Sequence, residues 1–192
     1  MANNDAPYGA TPIGQNGGAY NGQINRYYVP STDASVMAVG DIVILGGTAS
    51  TDGVPTCDIT TAGDAPCGII VGFEWLDRTY ENLPNYKPAS VECYALVADD
   101  PDIRFTMQED SVAGALAATS AGLNADVIVA TPNTSTGRSQ IEIDSSTAAV
   151  TATLVVHLHG LYQTSDNEIG DNARWECSFN VHAYGSVGVL GI

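Results

Sequence analysis

The chain has 192 residues, 44% of them hydrophobic and only 15% charged, with 22 acidic against 6 basic side chains and a formal net charge of −16. One domain is the default at this length, and folding it buries roughly 70% of the unfolded surface without need of a metal or a disulfide. So large an acid excess excludes direct nucleic-acid binding, which depends on lysine and arginine displacing counterions from phosphates, and no run approaches the roughly 18 apolar residues of a membrane span.

Residues 1–22 read as an extended N-terminal arm. Pro7, Gly9, Pro12, Gly14, Gly17, Gly18 and Gly22 break any regular pattern, and Tyr8, Ile13 and Tyr20 are its large side chains. Such a segment either hangs as a loose terminus or docks its tyrosines on a neighbouring subunit. Residues 23–29 (QINRYYV) predict a strand closed by Pro30-Ser31-Thr32-Asp33, and residues 36–39 lead into the next one. Residues 40–74 then hold three apolar runs, 41–45, 54–59 and 67–73, separated by Gly46-Gly47, Asp52-Gly53 and Gly63-Asp64-Ala65-Pro66. Runs this short between turn residues predict strands, here a meander with one buried face. Residues 75–87 (WLDRTYENLPNYK) change texture and predict a long loop. Its Trp75, Arg78, Tyr80 and Tyr86 are of the types enriched at contact surfaces, and with Tyr8 and Tyr20 they form the candidate interface set.

Residues 89–98 alternate, with Val91, Cys93, Ala95 and Val97 on one side. An acidic turn, Asp99-Asp100-Pro101-Asp102, leads to a strand at 103–107 that lines up Ile103, Phe105 and Met107. Residues 111–119 (SVAGALAAT) are the one helix-like stretch. Strands follow at 125–130 and 141–144, and residues 148–162 form the longest β-like run. Residues 174–184 alternate cleanly, Trp175, Cys177, Phe179, Val181 and Ala183 opposing Arg174, Glu176, Ser178, Asn180 and His182. The expected fold is all-β: a sandwich, jelly roll or small, partly closed barrel over 23–184, flanked by the arm and by a glycine-rich apolar tail at 185–192.

Chemistry is sparse. Cys57, Cys67, Cys93 and Cys177 form no CxxC pair and read as buried thiols, with a disulfide as the alternative and Cys57 and Cys67 placed to face each other as strand neighbours. His157 and His159 share a strand face, but a metal site would need further ligands and His182 is the remaining histidine. The acidic turn resembles a calcium-loop fragment interrupted by Pro101. No nucleophile motif, phosphate loop or metal set emerges. The expectation is therefore a non-enzymatic protein without catalytic residues, cofactor or metal. The opening MANNDAPYGA lacks the basic and apolar regions of a secretion signal, so a cytoplasmic, reducing origin is expected.

Six segments taken together, 3–9 (NNDAPYG), 27–30 (YYVP), 40–43 (GDIV), 68–73 (GIIVGF), 97–102 (VADDPD) and 166–175 (DNEIGDNARW), resemble small virion structural proteins of tailed bacteriophages, in the class that decorates or cements the capsid. Their order and spacing carry the likeness, which runs from the arm to about His182. It implies a β-sandwich or small barrel that forms a symmetric homo-oligomer, a trimer ahead of a dimer. Such a protein assembles in the host cytoplasm and sits on the outer surface of the virion, bound to the major capsid protein. Two alternatives stand beside it: another virion part such as a tail, fibre or neck protein, and a carbohydrate-binding or hydrolytic β-sandwich.

Overall fold

The computed structural model describes residues 3–76, 84–185, 188 and 191. Its strands are β1 (Thr11–Gln15), β2 (Gly18–Ala19), β3 (Asn25–Val29), β4 (Met37–Ala38), β5 (Ile42–Ala49), β6 (Pro55–Ile59), β7 (Gly68–Trp75), β8 (Tyr86–Lys87), β9 (Cys93–Ala98), β10 (Ile103–Gln108), β11 (Asn124–Ala125), β12 (Val127–Ile128), β13 (Glu142–Ile143), β14 (Val156–Leu161) and β15 (Arg174–Phe179). The fold is all-β, as expected. Two single turns of 3₁₀ helix, Ala118–Ser120 and Ser145–Thr147, are the helical elements among the described residues.

The strands divide between two main bodies. Five close into a barrel in the order β3-β6-β5-β7-β9, and six form an open sheet in the order β11-β14-β15-β10-β1-β2. Small β-branched and sulfur side chains fill the barrel, among them Val29, Val43, Cys57, Cys67, Ile70, Cys93 and Val97, each fully buried. A second core lies under the open sheet. There the inward residues of β10, β14 and β15 meet Ile42, Ile69 and Ala98 from the barrel strands and Ile143 from β13. Phe105 and Phe179 sit at its centre with ring centroids 5.0 Å apart, beside the fully buried Trp175. Truncating an aromatic in such a place costs about 3–5 kcal/mol. The barrel strands thus contribute to both cores, which ties the two bodies together.

The predicted meander is not one. β5 is central, pairing β6 on one side and β7 on the other, and β6 continues into a parallel contact with β3 at Tyr28↔Thr56. Closing the barrel imposes this order, since it leaves no unpaired edge. β5 also runs on through Gly46-Gly47 to Ala49, with a register shift between Leu45 and Ala49. Cys57 and Cys67 are accordingly not on neighbouring strands, although both are buried in the barrel core, and all four cysteines are free.

Two further expectations fail for local reasons. Residues 111–117 are not helical: Ser111 and Gly114 take positive φ, 54° and 99°, and the Leu116 amide donates to the Glu109 carboxylate at 2.7 Å. The run at 148–162 is strand only from Val156. Before it, the Asn180 amide donates to the carbonyls of Ala152 and Leu154 at 2.9 and 2.8 Å, and Asn124 donates to Thr151 at 3.0 Å. Side chains thereby take acceptors that a ladder would use.

The N-terminal segment is extended but lies on its own chain. Asn3 donates to the carbonyls of Glu168 and Asp171 at 2.8 and 2.9 Å, and Gln108 exchanges two bonds with Asn4 and Ala6. Ala10 is 1% exposed within the second core, and β1 pairs with β10 from Thr11↔Thr106 to Gln15↔Ile103. At the crossing, Gly9 (φ +72°) and Gly40 (φ +95°) touch backbone to backbone, where a Cβ on Gly40 would come within 2.5 Å of the Tyr8 carbonyl. Only glycine fits such an approach.

Candidate functional site

The candidate interface residues fall in different places. Tyr8 is half-buried, between a small cavity of about 180 Å³ shared with Gln108 and Arg174 and a shallower one of about 460 Å³ shared with Val39, Asn85 and Arg138. Burial pushes its phenol up from the usual range, against the pull of a hydrogen bond with Thr106 and the Arg174 charge. Tyr86 is half-buried in β8 and faces Ala38 in the β4–β8 ladder. Tyr20 packs on the second core and donates to the Gln23 carbonyl at 3.2 Å, away from these two in the fold. Trp75 closes β7, stacked on Phe73 at 5.7 Å against the barrel core. Arg78 and Tyr80 lie outside the described residues.

The structure therefore brings Tyr8 and the β4–β8 ribbon to one face and leaves Tyr20 and Trp75 elsewhere. The face around β4 carries two cavities. Val39, 38% exposed and bridged to Arg138, lines the one shared with Tyr8, and Val36 lines a second of about 400 Å³ with Ser35, Ile59, Val129, Thr131 and Pro132. Val129 is itself 38% exposed and its chain neighbour Ile128 41%. Scattered exposed apolar residues are ordinary, whereas apolar groups gathered around a cavity are what a contact surface presents. These valines escape sequence reading as a surface because they flank two-residue strands, β4 (Met37–Ala38) and β12 (Val127–Ile128), and carry no usable alternation.

Three carboxyls that the sequence does not single out are withdrawn from solvent in the fold. Asp41 is fully buried, accepts from the Ala38 amide at 2.7 Å, and is pushed up to about 6 by burial, in spite of hydrogen bonds from Ser139 and Ala38. Glu109 is fully buried and pushed up to about 7, chiefly by burial. Glu142 is also pushed up to about 7, by burial and then by Asp5 and Asp110. Nothing in their spacing predicts this; tertiary packing sets it.

The two strand histidines do share a face, their rings 4.9 Å apart and edge to face. His157 Nδ1 is 2.8 Å from Asn124 Oδ1, and His159 Nε2 is 2.9 Å from Ser178 Oγ. Burial and the neighbouring Arg104 charge push His159 down to about 4, so both imidazoles are neutral near pH 7. This is a Ser–His contact between neighbouring strands of the open sheet. Among the described residues no three His, Cys, Asp or Glu side chains gather in a metal-holding group. Burial raises all four thiols, Cys67 and Cys93 to about 12, which leaves them poor nucleophiles at neutral pH. Among the described residues, no helix is long and apolar enough to cross a membrane. Comparison with protein-family models, with curated proteins and with solved structures returns no match.

Proposed function

We propose that the chain is a capsid decoration protein of a tailed bacteriophage, binding the outer surface of the assembled shell and bridging neighbouring major capsid protein subunits. The reading rests on the six resembling segments, and the observation that carries it is the pair of cavities on the face around β4, one lined by Val36 and Val129 and the other by Val39 and Tyr8. The net charge of −16 suits an outward position better than one against packaged DNA. The first and last resembling segments also hold each other through Asn3, Glu168 and Asp171. The likeness therefore covers parts that act together in the fold.

The mechanism is linkage. A protein that binds the assembled shell and not its free subunits stabilises the shell by mass action, and self-association into a homo-oligomer, with a trimer ahead of a dimer, adds avidity. The structural role needs no catalytic residue or cofactor. The copy number in purified particles tests the reading. A decoration protein scales with the major capsid protein, whereas a ratio of only a few copies per particle assigns the chain to a tail, fibre or neck and overturns it.

A further inference from the structure

Away from the apolar face, an open cleft of about 680 Å³ sits where the start of β3 meets the acidic turn after β9. This size falls within the roughly 300–1,000 Å³ of small-molecule sites. Its lining is chiefly planar polar side chains and tyrosine: Gln23, Asn25, Arg26, Asp99, Asp100 and Tyr184, over a floor formed by Tyr27.

The polar groups are held before any ligand arrives. Asn25 Nδ2 lies 3.0 Å from both Asp99 oxygens, and the Tyr27 hydroxyl donates to Asp99 Oδ2 at 2.8 Å. The Tyr27 and Tyr184 hydroxyls are 3.0 Å apart. A carboxylate only accepts, so the Tyr27 hydrogen goes to Asp99 and the Tyr184 hydrogen to Tyr27. Burial, with the hydrogen bonds to Tyr184 and Asp99, pushes Tyr27 far up and keeps it a neutral phenol. Asp100 takes Gln15 Nε2 at 2.6 Å and the Asp102 amide at 2.8 Å. Two carboxylate oxygens offer about four acceptor sites, so both aspartates keep capacity for a ligand hydroxyl. The Tyr184 side of the cleft stays open, with that residue 50% exposed.

We propose that this cleft binds a neutral oligosaccharide. Paired atoms of Asp99, Asp100 and the Asn25 and Gln23 amides match adjacent sugar hydroxyls, and the Tyr184 ring receives the C–H face of the sugar. An acidic saccharide is disfavoured by the two aspartates and by the overall charge of −16. Arg26 does not reverse this, because Glu74 already meets its guanidinium at 2.8 Å and the group stands 4.2 Å over the Tyr94 ring. The inference is independent of shell binding, since none of its residues belongs to the apolar face.

The test uses the purified full chain on an immobilised array of neutral and acidic oligosaccharides, followed by calorimetric titration with the retained neutral saccharides. Retention confined to neutral oligosaccharides is expected, unchanged by added salt. It weakens about tenfold in Tyr184→Ala, the cost of losing one stacking ring, and also weakens in Gln23→Ala; Gln23 is exposed, so that variant keeps the wild-type melting temperature, while Tyr184→Phe, which keeps the ring and loses only the hydroxyl bond to Tyr27, retains most of the binding. Three results overturn the inference: no retention, retention equal in both alanine variants and the wild type, or binding confined to charged probes and abolished by salt.

Discussion

Lys87 shows how much one side chain in this fold carries. It is fully buried, and its ammonium donates to the Asp33 carbonyl at 3.0 Å, the Asp33 carboxylate at 3.2 Å and the Ser35 carbonyl at 2.8 Å. Lys87→Met removes the cation from Asp33 and the donor from the Ser35 carbonyl, while the Ser90 and Ser35 amides still reach the Asp33 carbonyl and Oδ1, and denaturant unfolding is expected to show a loss of about 3–5 kcal/mol. Arg26 and Glu74 are about half exposed, so Arg26→Gln is expected to change stability by less than about 1 kcal/mol. The buried carboxyls make a second prediction at this scale. Asp41, Glu109 and Glu142 rise from ordinary values of 3.8, 4.5 and 4.5 to about 6, 7 and 7 on folding. The folded chain therefore binds more protons between those values. Their contribution is full below the ordinary values and is lost as pH rises through about 6 to 7. His159 acts the other way: it falls from 6.5 to about 4, so its contribution is present above 6.5 and is lost as pH falls through 4. His157 and His182 are lowered in the same sense as His159, so the imidazoles oppose the carboxyls until the unfolded histidines are neutral, about one pH unit above 6.5. Melting temperature is expected to fall less steeply from pH 6 to 8 in Glu109→Gln than in the wild type, because the variant lacks one of the groups whose contribution is lost there.

Among the elements, the N-terminal segment departs most from its appearance in the sequence. Its glycines and prolines suggest a detachable arm, yet Ala10 is core and β1 supplies a strand to the open sheet. Removing residues 1–20 is therefore expected to lower the melting temperature and expose the second core to a hydrophobic dye. An unchanged melting temperature in the truncated chain would restore the reading as a free arm. Gly9→Ala is a gentler probe of the same contact. It places a Cβ against the Gly40 carbonyl and Ser139 at positive φ, and is expected to cost about 1–3 kcal/mol and open the segment to proteolysis. Strands with strong period-2 patterns were legible from sequence: the buried faces of β10 and β15 are Ile103, Phe105 and Met107, and Trp175, Cys177 and Phe179, as expected. Elements decided by distant groups were not. The 150–155 stretch has a strand-like pattern, but Asn124 and Asn180 claim its carbonyls. The order β6-β5-β7 depends on barrel closure, which no local run encodes. The candidate site divides in the same way. Tyr8 and Tyr86 were legible as aromatics in irregular segments, whereas Val36 meets Val129, and Val39 meets Tyr8, only through tertiary packing around two cavities.

For the whole molecule, two features bear on the proposed role: a net charge of −16, and the valine-lined cavities on the face around β4. A charge of −16 opposes contact with phosphate backbones. The apolar face gives the decoration reading a specific place of contact. Val129 is 38% exposed and outside both cores, so Val129→Asp leaves folding intact while placing a charge where an apolar partner surface must pack. The most direct measurement is co-sedimentation of purified protein with shells stripped of it, wild type beside Val129→Asp, with melting temperatures taken in parallel. The account predicts that the wild type returns to the shell in proportion to the major capsid protein, and that the variant, equally stable, stays in the supernatant. A wild-type chain that fails to return, or a variant that returns equally well, would contradict it.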